Sequence, residues 1–427
     1  MAQLSALKYL IYNTNIMNPF QKYILLTAFL SFQIFPQSIE IKSLKAYVNE
    51  DETSFPVILQ GNNSNQKLTI EFDVNSQVTP NLSIVFRFCD KDWNPYQNIF
   101  LANQNKNILR NLYFYNLPFT VKDARYHFKE SFPDSKGYVD LPFSGNWQFY
   151  ITDALDTSVV YAHEKFFVVY PKVSLVDSLK KEQLEDKIYF PSDLAKVFNI
   201  TTNFNLNNEF YPQNIECVEI VANHKMDYPE IIGRNGNTNT RQFYWDGNRK
   251  FTFVARDILP VNEYREVDLR NSNKFIPQNV PAQLDGMDYS RFFQHGREDL
   301  DGGSMLTDFE DDYATYLNVT FAIRPPNEMS KDIFLTGAFN SWKVSPEYKM
   351  KGNSGIYYIT IPLKRGIYDY QYVVGDIYNG VIGNLDWTYL EGNSWETTNH
   401  YYIFLYYNDP DYGGYERIIG FNEIKSK

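Results

Sequence analysis

Cysteine is scarce in this sequence of 427 residues, which contains only Cys89 and Cys217. The two lie far apart in the chain, so we expect them in different domains and expect no structural disulfide between them. Small exported domains without a large core commonly depend on several disulfides. The predicted fold must therefore be stabilised by hydrophobic cores, and the chain is long enough for two or three of them.

Histidine is also rare, and the motifs of common catalytic sites are missing. The five histidines show no helical ligand spacing, and there is no H-E-x-x-H, no G-x-S-x-G and no glycine-rich phosphate loop. Residues 298–312 carry seven acids and no base but lack EF-hand spacing, which favours a solvated acidic connector over a calcium site. We predict no enzymatic activity, no catalytic residue, no cofactor and no metal.

Positive charge is in deficit, since 40 Lys and Arg face 51 Asp and Glu for a net charge of −11. Such a balance disfavours nucleic acid and anionic membrane as partners.

Long hydrophobic runs are missing apart from one near the start. The run "YILLTAFLSFQIFP" after Lys22 has the length of a signal-peptide core rather than of a membrane span. We predict a cleavable signal peptide over residues 1–36, with Met17 as the true translation start. Its removal would shift the net charge from −11 to −13, because these residues carry Lys8, Lys22 and no acid.

Aromatic residues are abundant, with 34 Tyr and 33 Phe, and they occur in alternating segments typical of strands. "LTIEFDV", "LSIVFRF" and "NWQFYITD" are examples, separated by turn-rich stretches. We predict an all-β fold of tandem antiparallel β-sandwich domains of Ig-like or early-set type. The predicted divisions are an N-terminal sandwich at 37–171, a middle β-domain with a charged linker and an acidic connector at 172–311, and a C-terminal early-set-like sandwich at 312–427.

The charged stretch after Pro171 is the least strand-like part of the sequence. Leu179, Leu184 and Ile188 are spaced for a short amphipathic helix, and a solvated linker is the alternative. Both interpretations stay open at this point.

Two segments of the first predicted domain concentrate polar or aromatic residues. In "FRFCDKDWNP", Asp90 and Asp92 are interpreted as acceptors of turn amides with Trp93 packing beneath, rather than as an acid–base pair. Residues 113–138 hold eight aromatics, and this segment either folds over its own sandwich or is offered to a partner.

The order of motifs along the chain resembles a known family. The motifs are "FRFCDKDW", "SGNWQFYITD", "VNEYREVDLR", "DDYATYLNVTFAI", "LTGAFNSW", "LKRGIYDYQYV", and "LEGNSWETTNHYYIFLYYNDP" with "RIIG". They are similar to those of the plug protein family of the Bacteroidota type IX secretion system, from about residue 39 to 420. Phe88 and Val261 depart from the family pattern, where His and Gly are usual.

This resemblance implies a non-enzymatic periplasmic protein at the inner side of the outer membrane. Its partner would be the large outer-membrane β-barrel translocon, whose periplasmic opening it would bind and close while no substrate occupies the pore. The resemblance implies no cofactor, no nucleic acid and no direct insertion into the membrane. As candidate partner-binding residues we take the aromatic side chains Trp93, Tyr113, Phe114, Tyr115, Phe119 and Trp342.

Trp342 also carries an alternative hypothesis, because "LTGAFNSW" resembles the turn of glycogen-binding early-set sandwiches. In those modules a Trp stacks on the sugar, a Lys on a later strand binds hydroxyls and a second Trp completes the platform. This chain has Gln371 at the Lys position and Tyr378 near the second Trp. Packing or protein contact is therefore favoured for Trp342, and an exported glycan-binding protein is the alternative function.

Overall fold

The computed structural model describes residues 39–61, 64–184, 194–277, 279–284, 286–291, 294 and 296–427. The predicted signal peptide at 1–36 and the predicted start at Met17 lie outside the described residues. Single 3-10 turns occupy Pro212–Asn214, Ala338–Asn340, Pro346–Tyr348 and Asp411–Gly413.

The strands of the first half of the chain are β1 (Glu40–Val48), β2 (Val57–Gly61), β3 (Ser64–Asn65), β4 (Leu68–Asn75), β5 (Leu82–Cys89), β6 (Ile108–Leu109), β7 (Tyr115–Asn116), β8 (Tyr126–Phe132), β9 (Gly145–Asp153), β10 (Val160–Val169), β11 (Val176–Gln183), β12 (Lys196–Asn205), β13 (Ile215–Ala222) and β14 (Glu230–Gly233). Those of the second half are β15 (Arg241–Trp245), β16 (Lys250–Ile258), β17 (Arg265–Asp268), β18 (Asn279–Pro281), β19 (Asp288–Tyr289), β20 (Ser304–Leu306), β21 (Tyr316–Arg324), β22 (Asp332–Gly337), β23 (Lys351–Asn353), β24 (Ile356–Lys364), β25 (Gly366–Tyr378), β26 (Val381–Asp386), β27 (His400–Asp409) and β28 (Tyr415–Lys425).

The first sandwich contains a four-stranded sheet in the order β1-β4-β8-β7 and a six-stranded sheet in the order β3-β2-β10-β9-β5-β6. The alternating segments identified in the sequence form β4, β5 and β9. Their apolar side chains meet between the two sheets, where Phe72, Phe86 and Trp147 are buried in one core. Burying aromatic side chains of this size supplies much of the favourable free energy of folding.

The second sandwich pairs the sheet β11-β12-β16-β15 with the sheet β14-β13-β27-β28. Ile200, Ile220, Phe253 and Ile403 are fully or almost fully buried in its core. The last two strands of the chain, β27 and β28, thus complete the sheet that β13 and β14 begin.

The third sandwich is formed by a sheet centred on β25, which pairs with β17, β20, β22 and β26, and by the sheet β18-β21-β24-β23 with β19 beside β21. Val319, Phe321, Leu335 and Tyr370 lie in its core with no exposed surface. The predicted all-β fold of tandem sandwiches is confirmed.

Strand pairing crosses the predicted division at residue 311 in both directions. β27 and β28 belong to the second sandwich, and β17 to β20, which precede residue 311, belong to the third. The domain limits given from the sequence stay a prediction. In the sheets, strands from both sides of residue 311 contribute to the second and to the third sandwich.

The charged stretch after Pro171 contains a strand, so both open interpretations, an amphipathic helix and a solvated linker, are wrong over Val176–Gln183. This strand, β11, pairs antiparallel with β12 along its full length at the edge of a sheet. Three of its six exposed side chains are charged, which suits an edge strand because charge discourages pairing with another chain. Ile188 lies outside the described residues.

Two apolar clusters join the sandwiches to each other. Phe167, Tyr402 and Phe404 belong to a cluster between the first and second sandwiches, and the rings of Phe167 and Phe404 stack at 4.3 Å. Leu117 and Tyr316 belong to a smaller cluster between the first and third sandwiches. The clusters exclude water from both contacts, so the sandwiches pack directly on one another.

Candidate functional site: an aromatic edge and a buried junction

Three exposed aromatic side chains lie close to one another in the sequence of the first sandwich. Tyr113 and Tyr115 are 75% and 44% exposed, their rings are 5.4 Å apart, and Phe119 is fully exposed. Tyr115 lies in β7, which is at the edge of its sheet and pairs, among the described strands, only with β8. We call Tyr113, Tyr115 and Phe119 the aromatic edge.

The same segment is anchored by the side chains between these exposed ones. Phe114 is half-buried against Phe72 and Phe128, with ring centroids 6.4 and 6.1 Å away, and Leu117 is buried. Because alternate side chains of an extended segment point in opposite directions, Phe114 faces the core while Tyr113 and Tyr115 face solvent. Residues 113–119 therefore pack on their own sandwich and present aromatic surface at the same time.

Trp93 lies away from the aromatic edge, after β5 on the other sheet of the sandwich. Its ring packs edge-on against Phe167 at 5.0 Å, and the Lys165 Nζ lies 4.6 Å from its centroid. Asp90 Oδ1 accepts the backbone N–H of Asp92 and of Asn94, at 3.0 and 2.8 Å, as the turn interpretation expected. The Asp92 carboxylate instead pairs with Lys91, so the two aspartates form no acid–base pair.

Trp342 is a packing residue in the structure. Its side chain is 1% exposed, its ring lies 4.3 Å from that of Tyr264, and its Nε1 donates a hydrogen bond to the carbonyl of Gly302 at 2.8 Å. The burial corrects the inclusion of Trp342 among the partner-binding candidates, because a partner has no access to the indole. It also removes the stacking face that a sugar would need.

The "GAFNSW" turn instead connects three parts of the molecule. Ser341 Oγ donates to Glu164 of β10 in the first sandwich at 2.6 Å, and the Tyr228 hydroxyl accepts the Val344 N–H at 3.0 Å. Gly337 opens the turn where an added Cβ would lie 2.5 Å from the Asp369 carbonyl oxygen, so the position has no space for a side chain. The sequence feature that suggested sugar binding is a structural junction.

The alternating tyrosines of β25 belong to a buried charge network. The hydroxyls of Tyr370 and Tyr372 both donate to Asp288 Oδ2 at 2.8 Å, and Arg265 binds the other Asp288 oxygen at 3.0 Å. Arg265 also binds Glu391 at 3.0 Å. Burial opposes ionisation of Glu391, but the neighbouring guanidinium groups outweigh it and hold its pKa below the ordinary value. The network links "VNEYREVDLR" and "LEGNSW", two motifs of the resemblance, so they serve structure.

A second buried charge cluster joins the first sandwich to the third. Asp73 Oδ1 lies 2.7 Å from His127 Nδ1, while its Oδ2 accepts from Lys364 Nζ and from the Tyr316 hydroxyl, both at 2.9 Å. Burial would raise the pKa of Asp73, but the bonds from His127 and Lys364 prevail and lower it. Asp73 and Lys364 are each 1% exposed at the side chain, so the ion pair is almost free of solvent screening.

Sequence reasoning missed another exposed aromatic group. Phe100 and Tyr412 are 67% and 50% exposed with ring centroids 6.0 Å apart, and Ile99 beside them is 63% exposed. They come from distant parts of the sequence, in a loop after β5 and in the turn between β27 and β28. No local pattern signals such a pair, although apolar residues within the polar stretch "YQNIFLANQ" were a weak indication.

In the part of the chain that the structure describes, no helix is long and apolar enough to cross a membrane. The same residues contain no group of three or more His, Cys, Asp or Glu side chains arranged to hold a metal ion. Cys89 and Cys217 are both buried and unpaired.

Residues 41–170, which are the first sandwich, match the family model described as "Type 9 secretion system plug protein 1st domain". This part of the chain is similar to the first domain of plug proteins. The family resemblance drawn from the motifs is therefore confirmed on these residues, and it associates the chain with the type 9 secretion system. The aromatic edge and Trp93 lie inside the matched residues, whereas Trp342 lies outside them.

Similarity to a solved structure extends over most of the fold. A crystal structure of a hypothetical protein from Parabacteroides merdae ATCC 43184 superposes with a TM-score of 0.72, at 20% identity, covering 91% of this chain and 98% of that one. This likeness shows a shared fold. A bacterial ice-binding adhesin, covering 91% of this chain and 96% of that one, and a BSP domain of a biofilm-associated protein, covering 91% and 58%, are each 8% identical, with TM-scores of 0.14 and 0.13. No curated protein matches the chain.

Proposed function

We propose that this protein is a non-enzymatic plug of the type IX secretion system, located in the periplasm after export. It binds the periplasmic opening of the large outer-membrane β-barrel translocon and closes it while no substrate occupies the pore. The observation that carries the proposal is the match of residues 41–170 to the first domain of plug proteins. A pore wide enough for folded cargo leaks when empty, which gives closure by a folded protein a clear purpose.

The aromatic edge is the surface we propose for the contact. Exposed aromatic side chains on a rigid support bury a large area on binding with little loss of conformational entropy, and Tyr is enriched at protein interfaces. Phe114 and Leu117 hold the segment to its sandwich, so the exposed rings are fixed before the partner arrives. Such preorganisation lowers the entropic cost of association.

Site-specific photo-crosslinking tests the contact directly. A benzoylphenylalanine at Tyr113 or Phe119 should capture a very large outer-membrane protein in cells that possess the secretion system. Tyr378 is the matched control, because it is 78% exposed but belongs to the third sandwich. Capture from Tyr378 alone would place the contact elsewhere, and capture from none of the positions would refute the binding proposal.

Closure of the pore requires a separate measurement. Cells that lack this protein should become sensitive to a large hydrophilic antibiotic that an intact outer membrane excludes. The variant Tyr113→Ser/Phe119→Ser should restore resistance less well than the wild type at equal abundance. Unchanged sensitivity after deletion would contradict closure while leaving the crosslinking result intact.

The glycan-binding alternative receives less support from the geometry. Trp342 is buried, and Gln371 Nε2 is occupied by a hydrogen bond of 2.8 Å to the Trp387 carbonyl. Tyr378 is exposed, but a single tyrosine does not form a sugar platform. Retention of the protein in a glycogen gel would nevertheless favour the alternative.

A further inference from the structure

A cavity of about 250 Å³ lies between the second and third sandwiches, and Lys225 is one of its lining residues. Lys225 follows β13 in a tight turn, in which its own N–H bonds the carbonyl of Ala222 at 3.1 Å. The residue is 9% exposed, so its ammonium group is held inside the molecule. Cavities at the junction of two domains are frequent places for small ligands.

Aromatic rings surround the Lys225 ammonium. Its Nζ lies 4.2 Å from the ring centroid of Trp387, 5.1 Å from that of Tyr264 and 5.5 Å from that of Trp342. These rings favour a cation, but they are not strong hydrogen-bond acceptors. Gln371 Oε1, at 3.2 Å, is the one acceptor among the described residues, although a lysine ammonium has three N–H donors.

No described carboxylate forms an ion pair with Lys225. Glu391, the acid that most affects its pKa, is already paired with Arg265 and Arg291. Burial is the largest influence on Lys225 and lowers its pKa to about 7. A buried cation without an acidic partner is costly, which distinguishes this lysine from the paired lysines of the structure.

The other polar side chains at the cavity are already engaged. Asn223 donates to the Tyr264 hydroxyl and to Asn399, at 2.9 and 2.8 Å, and Asn399 donates to the Pro260 carbonyl at 2.9 Å. Of the two lining acids, Glu230 is paired with Arg241 and Asp257 is exposed to solvent. Lys225 is therefore the charged group that remains available to a ligand.

We propose that this cavity binds a small organic carboxylate with an aromatic or aliphatic body. The carboxylate oxygens accept the two N–H donors of Lys225 that no described residue accepts, and the body packs against Tyr264 and Trp387. An anion of this kind supplies both the missing charge and the missing acceptors. The site is independent of the proposed pore contact, since the aromatic edge lies on the first sandwich.

Calorimetry of the full chain at pH 6 with phenylacetate and with its neutral amide tests the proposal. We expect phenylacetate to bind at least about tenfold more tightly than phenylacetamide, as a charge-assisted hydrogen bond requires. The same comparison between N-acetylglycyl-phenylalanine and its C-terminal amide then shows whether the cavity also accepts the C-terminal carboxylate of a peptide or only a small free acid. Preference for the acid in either pair supports the site, whereas equal binding of acid and amide in both, or no binding, overturns it.

Variants locate the binding at this lysine. Lys225→Met should lose the preference for the acid, with an unchanged near-ultraviolet circular dichroism spectrum as the check of folding. Lys165→Met is the matched control, because Lys165 also lies over a tryptophan but pairs with Asp227 and does not line the cavity. A preference that survives in Lys225→Met would refute the assignment. The comparison of acid with amide uses the wild-type protein, so it tests carboxylate binding even if a variant fails to fold.

Discussion

Replacing Trp342 by alanine should destabilise the protein strongly. The Trp342 side chain is 1% exposed, so its removal leaves a cavity, and the substitution also removes the ring that packs at 4.3 Å on Tyr264. Removal of a buried Trp or Phe side chain typically costs about 3–5 kcal/mol. The carbonyl of Gly302 also loses its donor, which adds about 1 kcal/mol if no water replaces it. We therefore expect a loss of about 4–6 kcal/mol, with a smaller loss of about 1–3 kcal/mol for Trp342→Phe.

Urea unfolding followed by far-ultraviolet circular dichroism measures this loss without relying on the fluorescence of the mutated residue. The midpoint should fall in the order wild type, Trp342→Phe, Trp342→Ala. A Trp342→Ala variant with the wild-type midpoint would refute the packing role. If that variant also lost binding to glycogen or to a protein partner, Trp342 would have to be accessible in solution, and the junction described above would be incorrect.

Two further predictions concern buried charges. Lys364→Met should lower the free energy of unfolding by about 3–5 kcal/mol in urea titrations, because the buried Asp73 then loses its lysine partner and keeps only the bonds to His127 and Tyr316 among the described residues. Lys343→Met removes the more exposed pair of Lys343 with Glu164 and should change the free energy of unfolding by less than about 1 kcal/mol. Equal effects of the two variants would contradict the argument. Glu219 is 2% exposed and burial raises its pKa from the ordinary 4.5 to about 8. The folded state therefore holds its proton more tightly, and the contribution of Glu219 to stability is full below pH 4.5 and is lost as the pH rises through 8. Melting curves should show Glu219→Gln gaining stability over the wild type between pH 5 and 9 with no gain at pH 4, and a pH-independent difference would be inconsistent with this titration.

The strands of the cores could be predicted from the sequence, because alternating apolar residues reflect a local geometry. "LTIEFDV" and "LSIVFRF" became β4 and β5 almost residue for residue. The strand β11 escaped prediction because edge strands use charged side chains, which a hydrophobic pattern does not detect. The pairing of β27 with β13 was also not predictable, since the two strands lie far apart in sequence and no local feature encodes their contact.

The candidate site was predicted only in part. Aromatic content drew attention to residues 113–119, and their role in binding stays a prediction. The sequence did not show which of these side chains are exposed, because that depends on tertiary packing, and Phe114 packs on Phe72 and Phe128. Trp342 looked available because its turn resembles a sugar-binding turn. Its burial depends on contacts with Gly302 and Tyr264, which lie far from it in the sequence.

The contacts between sandwiches bear on how the proposed plug would leave its pore. Rotating the first sandwich against the third would separate the buried pair Asp73–Lys364 and expose Leu117 and Tyr316 to water. Breaking one such buried pair already costs several kcal/mol, and the aromatic cluster around Phe167 resists movement against the second sandwich in the same way. An internal hinge is therefore a costly route to opening. We expect the protein to leave the translocon as one body. The contact that breaks on release is then the one at the exposed aromatic edge, and the buried contacts between the sandwiches stay intact.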